Sequence, residues 1–185
     1  MPTTNQYFGV SGQIISATPQ GTGLNNVSQV STVASTGSLV DGYKTAVAQM
    51  VARQDYEVRP TAGYSNPLFN DLFDREAKQF QLYFNKVQVL PGVVVPGIPT
   101  VAGVIPLIPD AGITIPGYNP ASTNTYDMFI VSEDIIEYHW LTNPLPRVFQ
   151  LGLVSNLSAQ YTVLKFGCVV VKGANYAHRV LRTVR

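Results

Sequence analysis

The stretch that most constrains the fold is residues 59–84, RPTAGYSNPLFNDLFDREAKQFQLYF. Pro60 fixes its own φ and biases Arg59 away from helix, so residues 60–65 are predicted to be extended. Asn66 can then cap a helix, and Pro67 loses no hydrogen bond at the first helical position. Apolar residues recur there at spacings of three and four: Leu68, Leu72, Phe73, Ala77 and Phe80. A strand that turns sharply into a helix must lay that apolar stripe on a sheet.

A second helix is predicted before this unit, over residues 38 to about 56. Tyr43, Val47, Met50 and Val51 share one helical face, and Ser38 or Asp41 can cap the first turn. Residues 1–37 are rich in Ser, Thr, Gly, Gln and Asn, a composition that cannot build a core alone. They are expected to form a mobile arm or an extended segment that lies on another surface.

Residues 87–108 contain short β-branched runs that are broken by Pro91-Gly92, Pro96-Gly97 and Ala102-Gly103. These runs predict strands joined by tight turns, with Ala102-Gly103 the best hairpin candidate. Proline cannot donate to a ladder, so strands that carry the prolines at 96, 99, 106 and 109 are expected at edges or bulges. Residues 110–125 predict a long loop, which in a compact domain is usually functional or an interaction surface.

The remaining chain is predicted to be mostly strand. Residues 126–132 and 135–142 form two runs around Glu133-Asp134, and the sequence NPLP at 143–146 is a firm break. An extended piece follows at 148–154, and residues 157–172 predict a strand pair or one bent strand. A strand is favoured over a helix at 175–184 because of its valines and threonine. The order of elements predicts an α+β fold in which helices pack on a mainly antiparallel sheet.

Charged residues make up only 12% of the 185 residues, about half the usual share. A free monomer normally has a surface rich in charge, so the scarcity indicates that partners cover much of this chain. Small size and many Ser, Thr, Asn and Gln residues are the alternative explanation. The formal net charge is +1 and no basic run is present, which argues against a dedicated nucleic-acid binder.

Cysteine usage and hydropathy exclude several other classes. Cys168 is the single cysteine, so neither an internal disulfide nor a cysteine zinc site is expected. No apolar run approaches the ~20 residues that span a bilayer, and no signal peptide is recognised. We therefore expect a soluble chain made inside a cell, with no membrane partner and no cofactor.

No set of residues predicts catalysis. His139 lacks a recognisable partner and is expected to be a half-buried structural residue, and His178 is expected at the surface or an interface. Glu133 and Asp134 are adjacent, so their carboxylates point apart in a strand or are both solvated in a turn. We therefore do not expect them to act together as a general acid and a general base. Arginine favours bidentate pairs at interfaces, and the candidate partners for acidic groups on neighbouring chains are Arg147, Arg179, Arg182 and Arg185.

The order of these segments resembles the second half of Hong Kong 97-type major capsid proteins, the shell proteins of tailed bacteriophages and related viruses. The resemblance rests on a helix (VDGYKTAVAQMVARQDYEV), a strand ending at Asn-Pro (PTAGYSNP), a second helix (LFNDLFDREAKQF) and a hairpin (VVVPGIPTVAGVIPLIPD). It continues with YDMFIVSEDIIEYHWL and VLKFGCVVVKGANYAHRVLRTV, and NQYFGVSGQII is similar to the piece that follows that family's spine helix.

The resemblance implies an extended N-terminal segment at 1–37, an axial-type domain at 38–125 and returning peripheral-type strands at 126–185. It implies a virion protein, made in the host cytoplasm, whose copies form rings of five and six around a genome packaged without sequence specificity. The loop at 110–125 becomes a candidate for the capsomer centre, with candidate interface residues Asp110, Ile113, Tyr118 and Asn119.

The chain also departs from that family, because the N-terminal arm, the extended loop and the spine helix have no counterpart in it. A separate chain that supplies those parts is therefore a possible partner. The first hypothesis is a shell subunit, or the C-terminal part of one. The alternative is a virion decoration or tail-associated binding module, and a hydrolase that uses His139 is the third hypothesis.

Overall fold

The computed structural model describes residues 10–15, 30–52, 59–79, 85–140, 147–155, 158–164, 167–174 and 176–185. Its helices are α1 (Val10–Ile15), α2 (Leu39–Val51) and α3 (Pro67–Gln79). Its strands are β1 (Val30–Val33), β2 (Ala62–Ser65), β3 (Asn85–Leu90), β4 (Val93–Thr100), β5 (Gly103–Pro109), β6 (Thr125–Val131), β7 (Ile136–Trp140), β8 (Arg147–Ser155), β9 (Ser158–Leu164), β10 (Gly167–Val171) and β11 (Arg179–Val184).

A seven-stranded sheet in the order β1-β11-β6-β2-β5-β4-β3 organises the chain. Strand β1 is parallel to β11 and β2 is parallel to β5, while the other neighbours in this sheet are antiparallel. Two further antiparallel pairs, β7–β10 and β8–β9, stand outside it. The predicted α+β class, with helices on a mainly antiparallel sheet, is confirmed.

Helices α2 and α3 cover one face of the sheet, and their caps are those that the sequence predicts. The Ser38 hydroxyl accepts from the Asp41 amide at 3.2 Å, and the Asn66 side chain accepts from the Leu68 amide at 3.0 Å. The buried cluster beneath them contains Phe73, whose ring meets the Tyr43 ring edge-on with the centroids 5.9 Å apart. This aromatic packing fixes the two helices against each other and against the strands.

The apolar stripe of α3 differs from the prediction by one position. Its buried side chains are Phe69, Phe73 and Ala77, whereas Leu68 is 43% exposed. Leu68 and Phe69 are adjacent, so they point to two neighbouring faces of α3, and Phe69 is the one on the buried face. Phe80 lies outside the described residues, as do residues 53–58 of the predicted end of α2.

The predicted turns around β4 are partly confirmed. Gly92 and Gly103 have φ of +81° and +106°, a region that glycine adopts without strain, and they stand at the β3–β4 and β4–β5 turns. The predicted break at Pro96-Gly97 is wrong, because both residues lie inside β4. A Cβ on Gly97 would come within 2.5 Å of the Val87 side chain, so this glycine permits close packing rather than a turn.

The prediction of edge strands is also wrong for β4 and β5, which both lie inside the sheet and carry the prolines at 96, 99, 106 and 109. Pro96 and Pro99 have no N–H group and cannot donate a hydrogen bond to a neighbouring strand. The remaining pairing with β3 and β5 on the two sides holds β4 in the sheet.

Part of the second face of the sheet is covered by α1 and β10. Ile14 of α1 is buried there beside Val131, Val171 and Val180. The Gln13 side chain reinforces the contact, because its amide donates to the Val169 carbonyl at 2.9 Å and its oxygen accepts from the Val171 amide at 3.0 Å. The sequence does not predict the helix at Val10–Ile15. Strand β1 is extended and pairs with β11, which agrees with the extended segment that was one of the two alternatives for residues 1–37.

The proposed division of the chain at residue 125/126 stays a prediction. Strand β6 begins at that boundary and β11 follows it, yet both lie in the same sheet as β2 and β5, which precede it. The later strands that pair apart from this sheet are β7, β8, β9 and β10. Residues 1–9, 16–29 and 141–146, which include the predicted NPLP break and the start of the NQYFGVSGQII piece, lie outside the described part.

Candidate interaction surfaces

The C-terminal arginines of the predicted interface are engaged within the chain. Arg179 is buried, and its Nε donates to the Ser31 hydroxyl at 2.7 Å, which joins β11 to β1. Arg182 forms a bidentate pair with Asp127, with both bonds at 2.7 Å, and this hydrogen bonding raises the pKa of the guanidinium. These contacts strengthen the central strands. A role for the two side chains at an interface between copies stays a prediction.

The other two predicted arginines differ in position. Arg185 donates to the Gly37 carbonyl and lies 3.6 Å from a carboxylate oxygen of Glu76, which ties the end of β11 to the region around α2 and α3. Arg147 opens β8, and its backbone pairs with Leu164 of β9. Of the four, Arg147 is the one that the fold sets in a strand pair outside the main sheet.

The loop between β5 and β6 is ordered by its own polar side chains. The Asp110 carboxylate accepts from the Gly112 amide at 2.8 Å, and the Asn124 side chain bonds both the amide and the carbonyl of Asn119 at 2.8 Å. Ile113 is half-buried, and its carbonyl accepts from the Asn66 side chain at 2.6 Å. Tyr118 is 47% exposed. The loop therefore presents a fixed shape with an exposed aromatic ring, as an interaction surface needs.

The two histidines differ from each other. His178 is completely buried, so its predicted place at the surface is wrong. One ring nitrogen accepts from the Ser132 amide at 3.4 Å and the other lies 3.1 Å from the Lys172 carbonyl. Burial lowers the pKa of His178 to about 4, so the ring is neutral and joins the end of β6 to the turn after β10.

His139 lies on β7 and is exposed rather than half-buried, with its Nε2 at 3.1 Å from the Glu137 carboxylate. Glu137 is also 2.5 Å from the Lys172 ammonium, whose hydrogen bond lowers the pKa of Glu137. Across the described ranges, His, Cys, Asp and Glu side chains form no group that could hold a metal ion. Nor does any helix in them combine the length and apolar character that a membrane crossing requires.

A concave apolar surface, which we call the groove, opens on the second face of the sheet beside the β5–β6 loop. Its volume is about 580 Å³. The apolar lining comes from α1, β2, the loop, β6 and β7 and consists of Val10, Tyr64, Ile113, Phe129, Val131 and Ile136. A smaller cavity of about 240 Å³ adjoins it and shares Ile113 and Phe129. This face is thus only partly covered by α1 and β10.

Among the described residues, the charged side chains that line the groove are two acidic ones, Asp110 and Glu133. Glu133 accepts a hydrogen bond from the Tyr64 hydroxyl and lies 3.3 Å from the Thr61 hydroxyl, and Asp110 lies on the loop side. Burial, with the Glu133 hydrogen bond second, raises the pKa of Tyr64 to about 12, so the phenol stays protonated. The groove is therefore an apolar surface with a negative rim.

Exposed apolar side chains are concentrated on two strand pairs. Leu90, Val93 and Val94 are exposed around the β3–β4 turn, at the edge of the main sheet. On β8–β9, which we call the apolar hairpin, Val148, Tyr161 and Val163 are 62%, 61% and 60% exposed. A two-stranded sheet alone is marginally stable in water, so the apolar hairpin is a surface that a partner can complete.

Sequence reasoning did not identify the groove or the apolar hairpin as interaction surfaces. The sequence predicts extended pieces at 148–154 and 157–172, but only the sheet order shows that no third strand of the described chain pairs with β8 and β9. The groove combines residues from positions 10 to 136, a proximity that no local pattern reveals.

Comparisons with known proteins place the fold. No protein-family model matches the sequence, and no curated protein matches it. Among solved structures, the chain is similar to the holo-SrpI encapsulin complex from Synechococcus elongatus PCC 7942, with a TM-score of 0.57 and 20% identity. The match covers 85% of this chain and 54% of the encapsulin chain, so this chain spans about half the length of that protein. At this identity the similarity establishes a Hong Kong 97-like, capsid-type fold.

Proposed function

We propose that this chain is a structural shell protein, a major capsid subunit or the C-terminal part of one, in the virion of a bacteriophage. The observation that carries the proposal is the amount of apolar strand surface left uncovered on β3–β4 and β8–β9. A chain with 12% charged residues and such surfaces is completed by association with other chains. The capsid-type fold supports the same conclusion but does not carry it, because folds host many functions.

Assembly is the direct test. Purified chain, alone and with candidate partner chains, is examined by sedimentation velocity and negative-stain electron microscopy. We expect particles far larger than the 20.1 kDa monomer, formed by self-association into capsomers. A chain that stays monomeric at high concentration with every candidate partner contradicts the proposal.

The partner question follows from the length comparison. The matched encapsulin chain has nearly half of its length beyond the match, and a separate chain could supply equivalent parts here. Co-expression with the product of the neighbouring reading frame tests this. We expect larger or more regular particles with that product than without it, and identical particles in both cases would remove the separate chain from the proposal.

The virion assignment needs its own experiment. We expect mass spectrometry of purified virions to find this chain as an abundant component, and synthesis to occur in the host cytoplasm. Packaged nucleic acid is expected to be held without sequence specificity, so nuclease-protected fragments from the particles should show no common motif. Particles that enclose protein and no genome would replace the virion reading with a cellular compartment.

The alternative is a virion decoration or tail-associated binding module. This alternative is favoured by the β3–β4 turn, whose exposed apolar residues and proline-containing strand β4 form a surface that can attach to a finished particle. A pull-down on empty shells distinguishes the two functions. A decoration protein binds preformed shells and forms none, whereas a shell subunit forms them.

We propose a structural role without enzymatic activity. The single exposed histidine of the described residues, His139, contacts Glu137 and offers no nucleophile for a hydrolase. If hydrolysis is ever measured for this chain, His139→Ala gives the test. Loss of that activity in the folded variant would restore the enzymatic alternative.

A further inference from the structure

The outer edge of β9 is an open backbone edge. Strand β9 pairs with β8 on one side, and no described strand pairs with its other side. All seven residues of β9 have a partner in β8, so β9 itself is free of bulges, and it contains neither a charged residue nor a proline. The N–H and C=O groups along such an edge are available to a strand of another chain.

The outer edges of the other described sheet strands carry features that block strand addition. Strand β8 has two register shifts, in each of which one of its residues lacks a partner in β9. Strand β3 also has a register shift and carries Lys86, while β1 is only four residues long. Strand β7 carries Glu137, and backbone groups of β10 are bonded by the Gln13 side chain. Short, charged, bulged or covered edges resist pairing, so β9 has the least protected edge of this set.

The sequence of β9 is complementary to itself in an antiparallel pair. Its central residue is Tyr161, and the register that matches all seven residues places Tyr161 opposite Tyr161 of a second copy. Thr162 then lies opposite Gln160, and Val163 lies opposite Ala159, so polar residues meet polar ones and apolar residues meet apolar ones. Only the two end pairs mix the types. Because β9 has no charged residue, no like charges oppose each other.

Pairing would also remove the weakness of the apolar hairpin. Tyr161 and Val163 are 61% and 60% exposed, so a strand beside them would cover apolar surface. A two-stranded sheet is marginally stable in water, whereas three or more strands are needed for independent stability. Two hairpins joined through β9 would have four strands.

We propose that β9 of one copy pairs antiparallel with β9 of a second copy about a two-fold axis at Tyr161. The two apolar hairpins then form one sheet in the order β8–β9–β9–β8. This inference rests on the proposed shell function and names a contact between its subunits. Both copies use the same surface, so the contact is isologous and closes with two copies. Growth of a shell beyond that dimer needs other contacts.

Disulfide formation tests the register. In a Cys168→Ala background, Tyr161→Cys places two thiols opposite each other, so oxidation with copper phenanthroline should give a covalent dimer. The matched control is Val163→Cys, because Val163 is equally exposed but lies about 13 Å from Val163 of the second copy, too far for a disulfide. We expect no dimer from this control alone and a dimer when it is mixed with Ala159→Cys. Circular dichroism checks that each variant folds.

Charge substitution at the axis gives a second measurement that needs no disulfide. Tyr161→Lys places like charges opposite each other and removes the aromatic pair, so sedimentation should show self-association weakened by about fivefold or more. A mixture of Tyr161→Lys with Tyr161→Glu should regain association, because opposite charges then meet across the axis. This recovery is specific to a contact in which position 161 meets itself.

The outcomes separate this inference from the shell function. A dimer from Tyr161→Cys and none from Val163→Cys alone supports the pairing, even if microscopy shows no shells. Equal cross-linking by these two variants, or no Tyr161→Cys dimer and no recovery in the lysine–glutamate mixture, overturns the pairing. Shells that form in spite of that result leave the shell function standing. A chain that gives neither dimers nor shells at high concentration contradicts both.

Discussion

Acid should destabilise the chain through His178 in particular. The ring is completely buried, and its folded pKa of about 4 lies below the ordinary value of 6.5. Between these two values the unfolded chain binds a proton that the folded chain does not, so the stability contributed by this group is fully present above about pH 6.5 and declines as the pH falls. The expected loss is about 2 kcal/mol at about pH 5 and about 3 kcal/mol at about pH 4.

Urea denaturation at a series of pH values measures this loss. The control is His178→Gln, which keeps a donor and an acceptor near the Ser132 amide and the Lys172 carbonyl but does not titrate. We expect the free energy of unfolding to fall more steeply with acid in the wild type than in the variant, by the amounts above. Carboxylates contribute equally to both proteins and cancel in the difference. Parallel curves for the two proteins would refute the assignment of a depressed pKa to this ring.

Four further substitutions test the packing and one ion pair. Phe73→Ala should lower the free energy of unfolding by about 3 to 5 kcal/mol in urea denaturation, because it leaves a cavity at the helix–helix contact, while the exposed Leu68→Ala should cost under about 1 kcal/mol; equal costs would contradict the observed phase of α3. Gly97→Ala should cost about 1 to 3 kcal/mol by forcing β3, β4 and β5 apart, visible as a lower thermal midpoint, and an unchanged midpoint would show that the strands separate freely. Asp127→Asn should lower the free energy of unfolding by about 1 kcal/mol, because it removes the negative charge that pairs with Arg182. The part of the stability that depends on salt through this pair should disappear with it, and a salt dependence equal to that of the wild type would argue against the pair.

Much of the fold follows from local sequence signals. Ser38 and Asn66 set the starts of α2 and α3, and Gly92 and Gly103 mark the turns of the β3–β4–β5 meander. These features depend on neighbours a few residues apart, so the sequence alone predicts them. The valines and the threonine of residues 175–184 also predict a strand, which the structure has at Arg179–Val184.

The parts that sequence could not predict depend on distant contacts. Gly97 reads as a turn residue, but its role is set by side chains on β3 and β5 that approach it from both sides. His178 reads as part of a basic, exposed segment, yet the end of β6 and the turn after β10 enclose it. The interaction surfaces follow the same rule, because both the groove and the isolation of β8–β9 depend on sheet order.

The parallel pairing of β1 with β11 affects how a nascent chain can fold. Residues 30–33 pair with residues 180–183, so two neighbouring strands are separated by almost the whole sequence. At a synthesis rate of about 5 to 20 residues per second, β1 waits on the order of 10 seconds for its partner to leave the ribosome. Strand β11 also separates β1 from β6, so the central sheet closes only after translation of residue 184. Until then β1 and the edge of β6 lack the strand that lies between them. A holdase chaperone that shields these unpaired strands would raise the yield of folded protein.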